Sequence, residues 1–188
     1  MKVPKLWTFE NKEVASGFDQ HVREQLPWYD ILTRAVAHIA RHYIPADGLV
    51  YDIGASTGNV GNSIAETLKE RNAVLIPIEP SEEMAKRYDG PFPDKLIVAD
   101  ALDVNIEPFD FAVCFLTIMF MKPSERANFI KRLVSKCKTG GAIVIVDKME
   151  ATSGYLATVL WRMTLAGKAH AGVDLSDIAR KELSLGGV

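Results

Sequence analysis

The chain has 188 residues, of which 24% are charged and 48% hydrophobic, and its formal net charge is −2. This length predicts one domain with a buried core, and without a basic excess we expect no direct binding of nucleic acid. The N-terminus lacks the apolar core of a signal peptide, and the longest apolar run, 111–121, is too short to span a bilayer. We therefore expect a cytoplasmic protein with no membrane partner.

Strands and helices are predicted to alternate after a helical N-terminal segment. The predicted strands are 49–53, 73–78, 96–99, 109–116 and 142–146. Helices are predicted after Gly58, after an N-cap at Ser81, and from Pro123. Pro77 cannot donate to a ladder, so we expect its nitrogen to face a sheet edge or to lie in a bulge. Five strands separated by helices predict an α/β fold with a doubly wound sheet and a ligand at the carboxyl ends of the strands.

The helix from Pro123 is predicted to bury one face and to expose its cations. Its predicted buried residues are Phe129, Ile130, Leu133, Val134 and Cys137. Its predicted exposed cations are Arg126, Lys131, Arg132 and Lys136. Gly140 and Gly141 are predicted to end this helix. Cys114 and Cys137 have no metal-ligand spacing, and His38 and His42 lack a third ligand, so no metal site is predicted.

Residues 50–61, VYDIGASTGNVG, are the most informative segment. An apolar run leads to Asp52, and a turn of small residues from Gly54 to Gly58 then opens an amphipathic helix. This layout suits a strand that ends where a helix N-terminus and free backbone amides meet a polar ligand. A P-loop would need a Lys-Ser/Thr pair after the glycines, and a dinucleotide fingerprint would need glycines where Ser56 and Asn59 stand. A tight turn without a ligand is the remaining alternative.

Acidic residues follow the next two predicted strands. Glu79 ends the second strand and is suited to accept both hydroxyls of a ribose. Asp100 ends the third, where it can accept from the exocyclic amine of an adenine, with Leu102 and Phe115 flanking the ring. Either acid alone could be a solvated strand end or a helix N-cap. Their order behind the glycine-rich turn indicates one shared ligand site.

The segments VYDIGASTG, IEPSEEM, VADALDV and KTGGAIVIVDK resemble, in order and spacing, the motifs of class I S-adenosylmethionine-dependent methyltransferases. The resemblance covers Phe18 to Met149. One branch, the carboxy-S-adenosylmethionine synthases, is more similar. The segment Phe18-Asp19-Gln20-His21-Val22 resembles its FDxxV opening, and TIMFMKPSERANFIKRL resembles its exit from strand four and the helix that follows.

This resemblance implies a Rossmann-like doubly wound sheet of the class I methyltransferase type that binds S-adenosyl-L-methionine. The cofactor-binding residues that it implies are Tyr29, Asp52, Gly54, Ala55, Ser56, Gly58, Glu79, Pro80, Asp100, Ala101 and Phe115. The small residues 54–56 would contact the methionyl part, 79–80 the ribose and 100–101 the adenine. Tyr29 and Phe115 would close the pocket, and core packing is the alternative interpretation for both.

Two residues depart from the synthase branch. Phe115 stands where that branch has an amide side chain. Glu182 stands where it has an arginine that pairs with the added carboxylate of its cofactor, although Arg180 and Lys181 are adjacent. A glutamate would repel that carboxylate, whereas binding of unmodified S-adenosylmethionine needs neither residue.

The predicted function is methyl transfer to a small-molecule acceptor, with proximity rather than an identified catalytic residue lowering the barrier. The first alternative is a carboxy-S-adenosylmethionine synthase-like enzyme acting in tRNA wobble-uridine modification, with a carboxylated donor such as prephenate. The second alternative is a non-catalytic module that binds S-adenosylmethionine or a partner protein.

The predicted organisation is a single domain over 1–188. It comprises a helical cap at 1–47, a cofactor-binding core at 48–149 and a C-terminal helical segment at 150–188. Residues 153–165 and 176–183 are predicted helices, so the last two strands of the family's sheet are expected to be missing. A homodimer could form through the edge strand or through an apolar set on the first of these helices. That set is Tyr155, Leu156, Val159, Leu160 and Trp161.

Overall fold

The computed structural model describes residues 8–148 and 154–184. Its helices are α1 (Lys12–Ser16), α2 (Phe18–Gln25), α3 (Tyr29–Tyr43), α4 (Asn59–Glu70), α5 (Glu82–Ala85), α6 (Pro123–Lys136), α7 (Tyr155–His170) and α8 (Leu175–Ser184). Its strands are β1 (Leu49–Ile53), β2 (Val74–Ile78), β3 (Phe109–Phe115) and β4 (Cys137–Val146). The chain divides into two compact units, one of residues up to Asp30 together with those from 149 onward, the other of Ile31–Lys148.

The second unit contains a parallel sheet with the strand order β2-β1-β3-β4. Helix α4 connects β1 to β2, and α6 connects β3 to β4. From the centre of the sheet, the first connection leads to the β2 edge and the second leads to the β4 edge. Right-handed crossovers therefore place the two helices on opposite faces of the sheet. The strand order reverses between β1 and β3, which is where ligands bind in sheets of this type. The predicted doubly wound α/β fold is confirmed.

Both faces of the sheet are covered by apolar side chains. On one face, Tyr51 and Ile53 of β1 share a buried cluster with Phe129 and Leu133 of α6. On the other, α4 buries Val60, Ile64 and Leu68, the positions that helical spacing predicts. Its Gly61 lies so close to β2 that an added Cβ would be 3.1 Å from Leu75 Cδ2. Because successive strand residues point to opposite faces, Asp52 lies on the α4 side of β1.

The predicted third strand at 96–99 does not form, and the described sheet has four strands instead of five. Only Ile97 pairs with β2, through a parallel bridge to Ile78 on the side away from β1. The amide of Ile97 donates to Pro77 O at 2.9 Å, so the nitrogen of Pro77 also faces this outer edge. Extending the bridge toward residue 95 would require an N–H from Pro77, which proline lacks. The edge-facing placement predicted for Pro77 is thus confirmed, and it explains why the ladder does not extend toward residue 95.

The boundary between α6 and β4 also differs from the prediction. The helix begins at Pro123 as predicted, but it ends at Lys136, and Gly140 and Gly141 lie within β4. Between Phe109 and Phe111 of β3 the register with β4 shifts from Cys137 to Ala142, so the glycines lie in an irregular stretch of the strand. Cys137 is therefore only half-buried, and Val134, predicted to be buried, is 60% exposed.

The first unit contains α1, α2, α7 and α8. The helices predicted at 153–165 and 176–183 correspond to α7 and α8, and residue 153 itself lies outside the described residues. Within the predicted apolar set, Leu160 is half-buried and the other members are exposed on α7. The homodimer that this set could support stays a prediction. None of the helices within 8–148 and 154–184 has the length and apolar character needed to cross a membrane.

Candidate functional site

The glycine-rich turn between β1 and α4 has a left-handed backbone at alternate residues. Gly54, Ser56 and Gly58 have φ angles of +78°, +53° and +94°. A Cβ added at Gly54 would lie 2.5 Å from Thr117 Oγ1, and one added at Gly58 would lie 2.6 Å from the backbone nitrogen of Gly90. The glycines are therefore required because other segments of the protein pack against the turn. Thr117 and Gly90 occupy the space in which those Cβ atoms would stand.

The backbone amides of this turn are not free, which corrects the expectation drawn from the sequence. The amides of Gly54 and Ala55 both donate to Ile78 O, at 2.8 and 2.9 Å. The amide of Ser56 donates to Glu79 Oε2 at 2.8 Å. These bonds join the turn to the end of β2. The donors in the turn therefore fix its shape, and a ligand would meet the side chains around it.

Glu79 is buried at the end of β2, where both of its carboxylate oxygens accept hydrogen bonds from the backbone. Oε2 accepts from Ser56, and Oε1 accepts from the amide of Ser81 at 2.9 Å. The hydroxyl of Ser81 in turn caps α5 by accepting from the amide of Met84 at 3.2 Å, as the predicted N-cap requires. Each carboxylate oxygen has a second lone pair. These backbone bonds therefore do not by themselves prevent Glu79 from accepting from a ligand hydroxyl.

Asp52 is 1% exposed, and neither of its carboxylate oxygens has a hydrogen-bond partner within the described chain. Burial raises the pKa of Asp52 to about 7, and the negative charge of Glu79 contributes in the same direction. The amide of Gly61 approaches without full hydrogen-bonding geometry and opposes the shift in part. Two carboxylates thus share a poorly solvated region beneath the glycine-rich turn. A positive group in this region would stabilise both of them.

A segment that the sequence prediction missed, Tyr88 to Pro91, covers the same turn. The amide of Asp89 donates to Thr57 O at 3.0 Å, and the hydroxyl of Tyr88 donates to Pro91 O at 2.8 Å. The pKa of Tyr88 is raised well above its ordinary value, first by burial and second by the charge of Asp52. The phenol therefore lies close enough to Asp52 for the two to interact. No sequence motif marks this segment.

The turn after the missing third strand contains the residues predicted to meet an adenine. Asp100 is exposed and Ala101 is buried. Asp100 Oδ1 accepts from the amide of Leu102 at 2.9 Å, which closes the turn. Arg132 of α6, predicted to point into water, is half-buried and donates to the carbonyl oxygens of Ala101 and Leu102. Sequence spacing alone did not reveal this contact because it joins residues thirty positions apart.

Phe115 is buried at the end of β3, one strand away from β1. After it, Leu116 has a left-handed φ of +57° and Thr117 turns back toward β1. Thr117 Oγ1 donates to Ile53 O at 2.7 Å and so fixes the exit of β3 against the glycine-rich turn. Arg126, also predicted to be exposed, is half-buried and donates to Met119 and Met121 O in the following segment.

Tyr29 and Pro80 are the remaining predicted site residues. Tyr29 belongs to the other compact unit, where it is buried with the guanidinium of Arg23 5.4 Å from its ring centroid. Pro80 is exposed beside Glu79. The roles of Tyr29 and Pro80 in cofactor binding stay predictions. Over the described ranges no three His, Cys, Asp or Glu side chains are grouped as metal ligands, and the rings of His38 and His42 pack edge to face with centroids 5.2 Å apart.

The comparisons with known proteins agree with this geometry. The family described as a methyltransferase domain matches residues 50–141. The chain is 26% identical over 182 residues to the carboxy-S-adenosyl-L-methionine synthase of Shewanella woodyi, covering 93% of this chain and 75% of the relative. It is 27% identical over 188 residues to that of Staphylococcus epidermidis, covering 98% and 82%.

A solved structure extends the comparison to the fold. The plantazolicin methyltransferase BpumL in complex with SAH superposes with a TM-score of 0.55 at 15% identity, over 90% of this chain and 66% of that chain. At this identity the likeness establishes the fold. The sheet order, the glycine-rich turn followed by Glu79, the domain match and the relatives agree with one another. The chain is thus similar to methyltransferase domains over residues 50–141 and to carboxy-S-adenosyl-L-methionine synthases over most of its length, which supports the resemblance drawn from the sequence.

Proposed function

We propose that this protein transfers the methyl group of S-adenosyl-L-methionine to a small-molecule acceptor in the cytoplasm. The observation that carries the proposal is the pair of buried carboxylates, Asp52 and Glu79, at the switch point of the sheet. Such a pair favours a ligand with positive charge and with hydroxyl donors. S-adenosyl-L-methionine has both, in its sulfonium and ammonium groups and in its ribose.

The residues present fit this cofactor. The unpartnered oxygens of Asp52 and the buried, unpartnered Oγ of Ser56 are polar atoms that a ligand could satisfy. Glu79 retains acceptor capacity for the ribose hydroxyls. Asp100 and Ala101 would meet the adenine, and Phe115 would offer an apolar surface at the end of β3. Gly54, Ala55, Ser56 and Gly58 would form the turn beside the methionyl part.

The cofactor supplies an electrophilic methyl carbon on a sulfonium. In such a transfer, the acceptor's lone pair would form the new bond to that carbon as the carbon–sulfur bond breaks, and S-adenosylhomocysteine would leave with the electron pair on sulfur. This substitution needs alignment more than acid–base catalysis. Accordingly, we assign the residues of the turn a binding and orienting role. We assign no nucleophile or general base to the protein.

The charge of the site favours the unmodified cofactor over a carboxylated one. Adding a carboxylate would place a negative charge near Asp52 and Glu79 unless a cation balanced it. The half-buried arginines of α6, Arg126 and Arg132, donate to main-chain carbonyls. In α8, Arg180 is exposed and pairs with Asp177 at 3.1 Å. The side chain of Glu182 lies outside the described residues.

The second candidate is a carboxy-S-adenosylmethionine synthase-like reaction, which would act in tRNA wobble-uridine modification with a donor such as prephenate. The likeness to synthases over 93% and 98% of the chain favours it. The matched family is a methyltransferase domain and the relatives are named as synthases. We therefore do not propose a non-catalytic binding module.

Mass spectrometry of the ligand retained through purification separates the two candidates. We expect unmodified S-adenosyl-L-methionine or S-adenosylhomocysteine. A ligand heavier than S-adenosyl-L-methionine by one carboxylate would instead establish the synthase reaction. As a control, the protein should be stripped of ligand and titrated with each cofactor by calorimetry. If it binds neither, both candidates fail.

A further inference from the structure

The adenine-side turn, which we define as residues 100–103, is not supported by a strand. Ile97 is the nearest preceding residue that pairs with the sheet, through a single bridge to Ile78. The turn itself closes locally, with Asp100 Oδ1 accepting from Leu102 and Asp100 O accepting from Asp103, both at 2.9 Å. Local bonds of this kind set the shape of a turn but do not fix its position relative to the sheet.

Arg132 supplies a long-range polar connection, in addition to the apolar packing of Ala101 and Leu102 on the buried core cluster. Its Nη1 donates to Leu102 O at 2.7 Å, and its Nη2 donates to Ala101 O. A guanidinium is suited to this because its donors form a rigid planar fork that can reach two adjacent carbonyls. The neighbouring Phe129 ring lies 5.3 Å from the guanidinium carbon and is itself buried in the core. The turn is therefore anchored to the sheet through α6.

The third nitrogen of the Arg132 guanidinium, Nε, makes no hydrogen bond that would explain its burial in the part of the chain that the structure describes. An unpaired buried donor lowers stability, so the position is not optimised for stability alone. On the other side of the same turn, Asp100 is exposed, and Oδ1 is used within the turn. Its Oδ2 can accept from a ligand.

We propose that Arg132 is a positioning residue for adenine recognition, acting by fixing the turn that presents Asp100. The inference rests on the proposed cofactor function and goes beyond it, because it assigns base selectivity to a side chain that does not itself contact the base. When Arg132 is replaced, the turn keeps its local bonds and the apolar packing of Ala101 and Leu102, but the two carbonyl contacts that restrain the Asp100 carboxylate relative to α6 are lost. The protein should then lose its preference for an exocyclic amine.

Arg126 provides a matched control on the same helix. It is also half-buried, and it also donates to two main-chain carbonyls, from Nε to Met121 O at 2.9 Å and from Nη2 to Met119 O at 3.0 Å. Its target segment follows β3 and does not include the adenine-side turn. Replacing either arginine by methionine removes the same charge and the same kind of contact. Only the Arg132 variant should alter selectivity for the base.

The experiment measures the dissociation constants of S-adenosylhomocysteine and S-inosylhomocysteine, in which a carbonyl oxygen replaces the exocyclic amine and N1 carries a proton. The wild-type protein should prefer the adenine ligand by about tenfold or more, the typical value of a hydrogen bond to a charged group. Arg132→Met should reduce this ratio to about threefold or less, and Arg126→Met should leave it unchanged. Arg132→Lys should recover part of the preference, since lysine keeps one donor but not the planar fork.

Coupling to Asp100 is the second readout. Asp100→Ala should also remove the preference, and the double variant with Arg132→Met should lose no more than Asp100→Ala alone. Independent losses that multiply in the double variant would overturn the inference. Hydrogen exchange in the ligand-free protein should show faster exchange at the amides of Leu102 and Asp103 in Arg132→Met, and unchanged exchange there would also overturn it.

The outcomes separate this inference from the proposed function. If the wild-type protein binds neither ligand, the proposed function fails and the inference fails with it. If it binds both without an adenine preference, or if Arg132→Met retains the wild-type ratio in a folded protein, the inference alone fails. A melting curve of Arg132→Met tests whether the variant is folded. Partial recovery of the preference in Arg132→Lys excludes unfolding as the cause of its loss.

Discussion

The backbone amide of Ser56 donates a 2.8 Å hydrogen bond to the carboxylate of Glu79, which joins the glycine-rich turn to the end of the neighbouring strand. The other oxygen of the same carboxylate accepts from Ser81 at the start of α5. One buried side chain therefore fixes two segments that border the proposed cofactor site. It remains able to accept from a ribose.

Glu79→Gln should weaken binding of S-adenosyl-L-methionine by about 10- to 100-fold, because an amide cannot accept at both positions and places a donor against a backbone N–H. Calorimetric titration measures the effect. Glu82→Gln is the control, since Glu82 is exposed in the same segment and its contact with Lys86 is a loose ion pair of 3.9 Å. Equal affinities for the two variants would remove Glu79 from the site.

Gly54→Ala should destabilise the protein by about 2–4 kcal/mol, from both the strain of its positive φ and the contact of the new methyl group with Thr117. Gly140→Ala isolates the first effect, because Gly140 has a φ of +85° and an added Cβ there would meet nothing within 4 Å. Gly140→Ala should lower the free energy of unfolding by about 1–2 kcal/mol. Urea denaturation provides both values, and a Gly54 variant no less stable than the Gly140 variant would contradict the crowding at Thr117.

The stability of the protein should fall as the pH rises between about 4 and 7. The pKa of Asp52 is raised from 3.8 to about 7 by folding, so within this window the native state binds more protons than the unfolded state. Raising the pH therefore favours unfolding until Asp52 is fully ionised in both states. Asp52→Asn should flatten this part of the profile. Chemical denaturation at a series of pH values tests it, and an unchanged slope in the variant would contradict the assignment.

Binding of S-adenosyl-L-methionine should release protons near pH 7. The positive charges of the cofactor favour the ionised form of Asp52, so its pKa of about 7 in the free protein should fall in the complex. Affinity should consequently rise with pH between about 6 and 8. Calorimetry in buffers of different ionisation enthalpy counts the protons. The Asp52→Asn variant should release fewer protons on binding than the wild-type protein. Equal release by the two proteins would assign the proton to another group.

The two cysteines should react with a chromogenic disulfide reagent at very different rates. Cys137 is half-buried at the start of β4, whereas Cys114 is fully buried in β3 and its pKa is raised by burial and by the charges of Asp52 and Asp147. The native protein should show one reactive thiol, and the second should appear only on unfolding. Cys137→Ser should abolish the first phase. Rapid reaction of both thiols would contradict the burial of β3.

Much of the fold follows from local sequence patterns. The bounds of β1 and the start of α6 agree with the prediction because apolar runs and the proline at the first helical turn are local signals. The errors lie where the outcome depends on a partner strand. Residues 96–99 have a strand's composition, but only Ile97 pairs with the neighbouring edge, where Pro77 has no donor for residue 95. Gly140 and Gly141 end helices in many sequences, but here they lie in an irregular stretch of β4 paired with β3.

Local sequence patterns located the glycine-rich turn, the acidic residues that follow it and four of the five predicted strands, and these segments carry the resemblance to the superfamily. Tertiary structure alone decided what each group in the turn contacts. The glycines accommodate Thr117 and Gly90, the amides donate to Ile78 and Glu79, and two arginines predicted to face water anchor loops. Composition and spacing describe neighbours along the chain, whereas these contacts join residues brought together by strand order and helix packing.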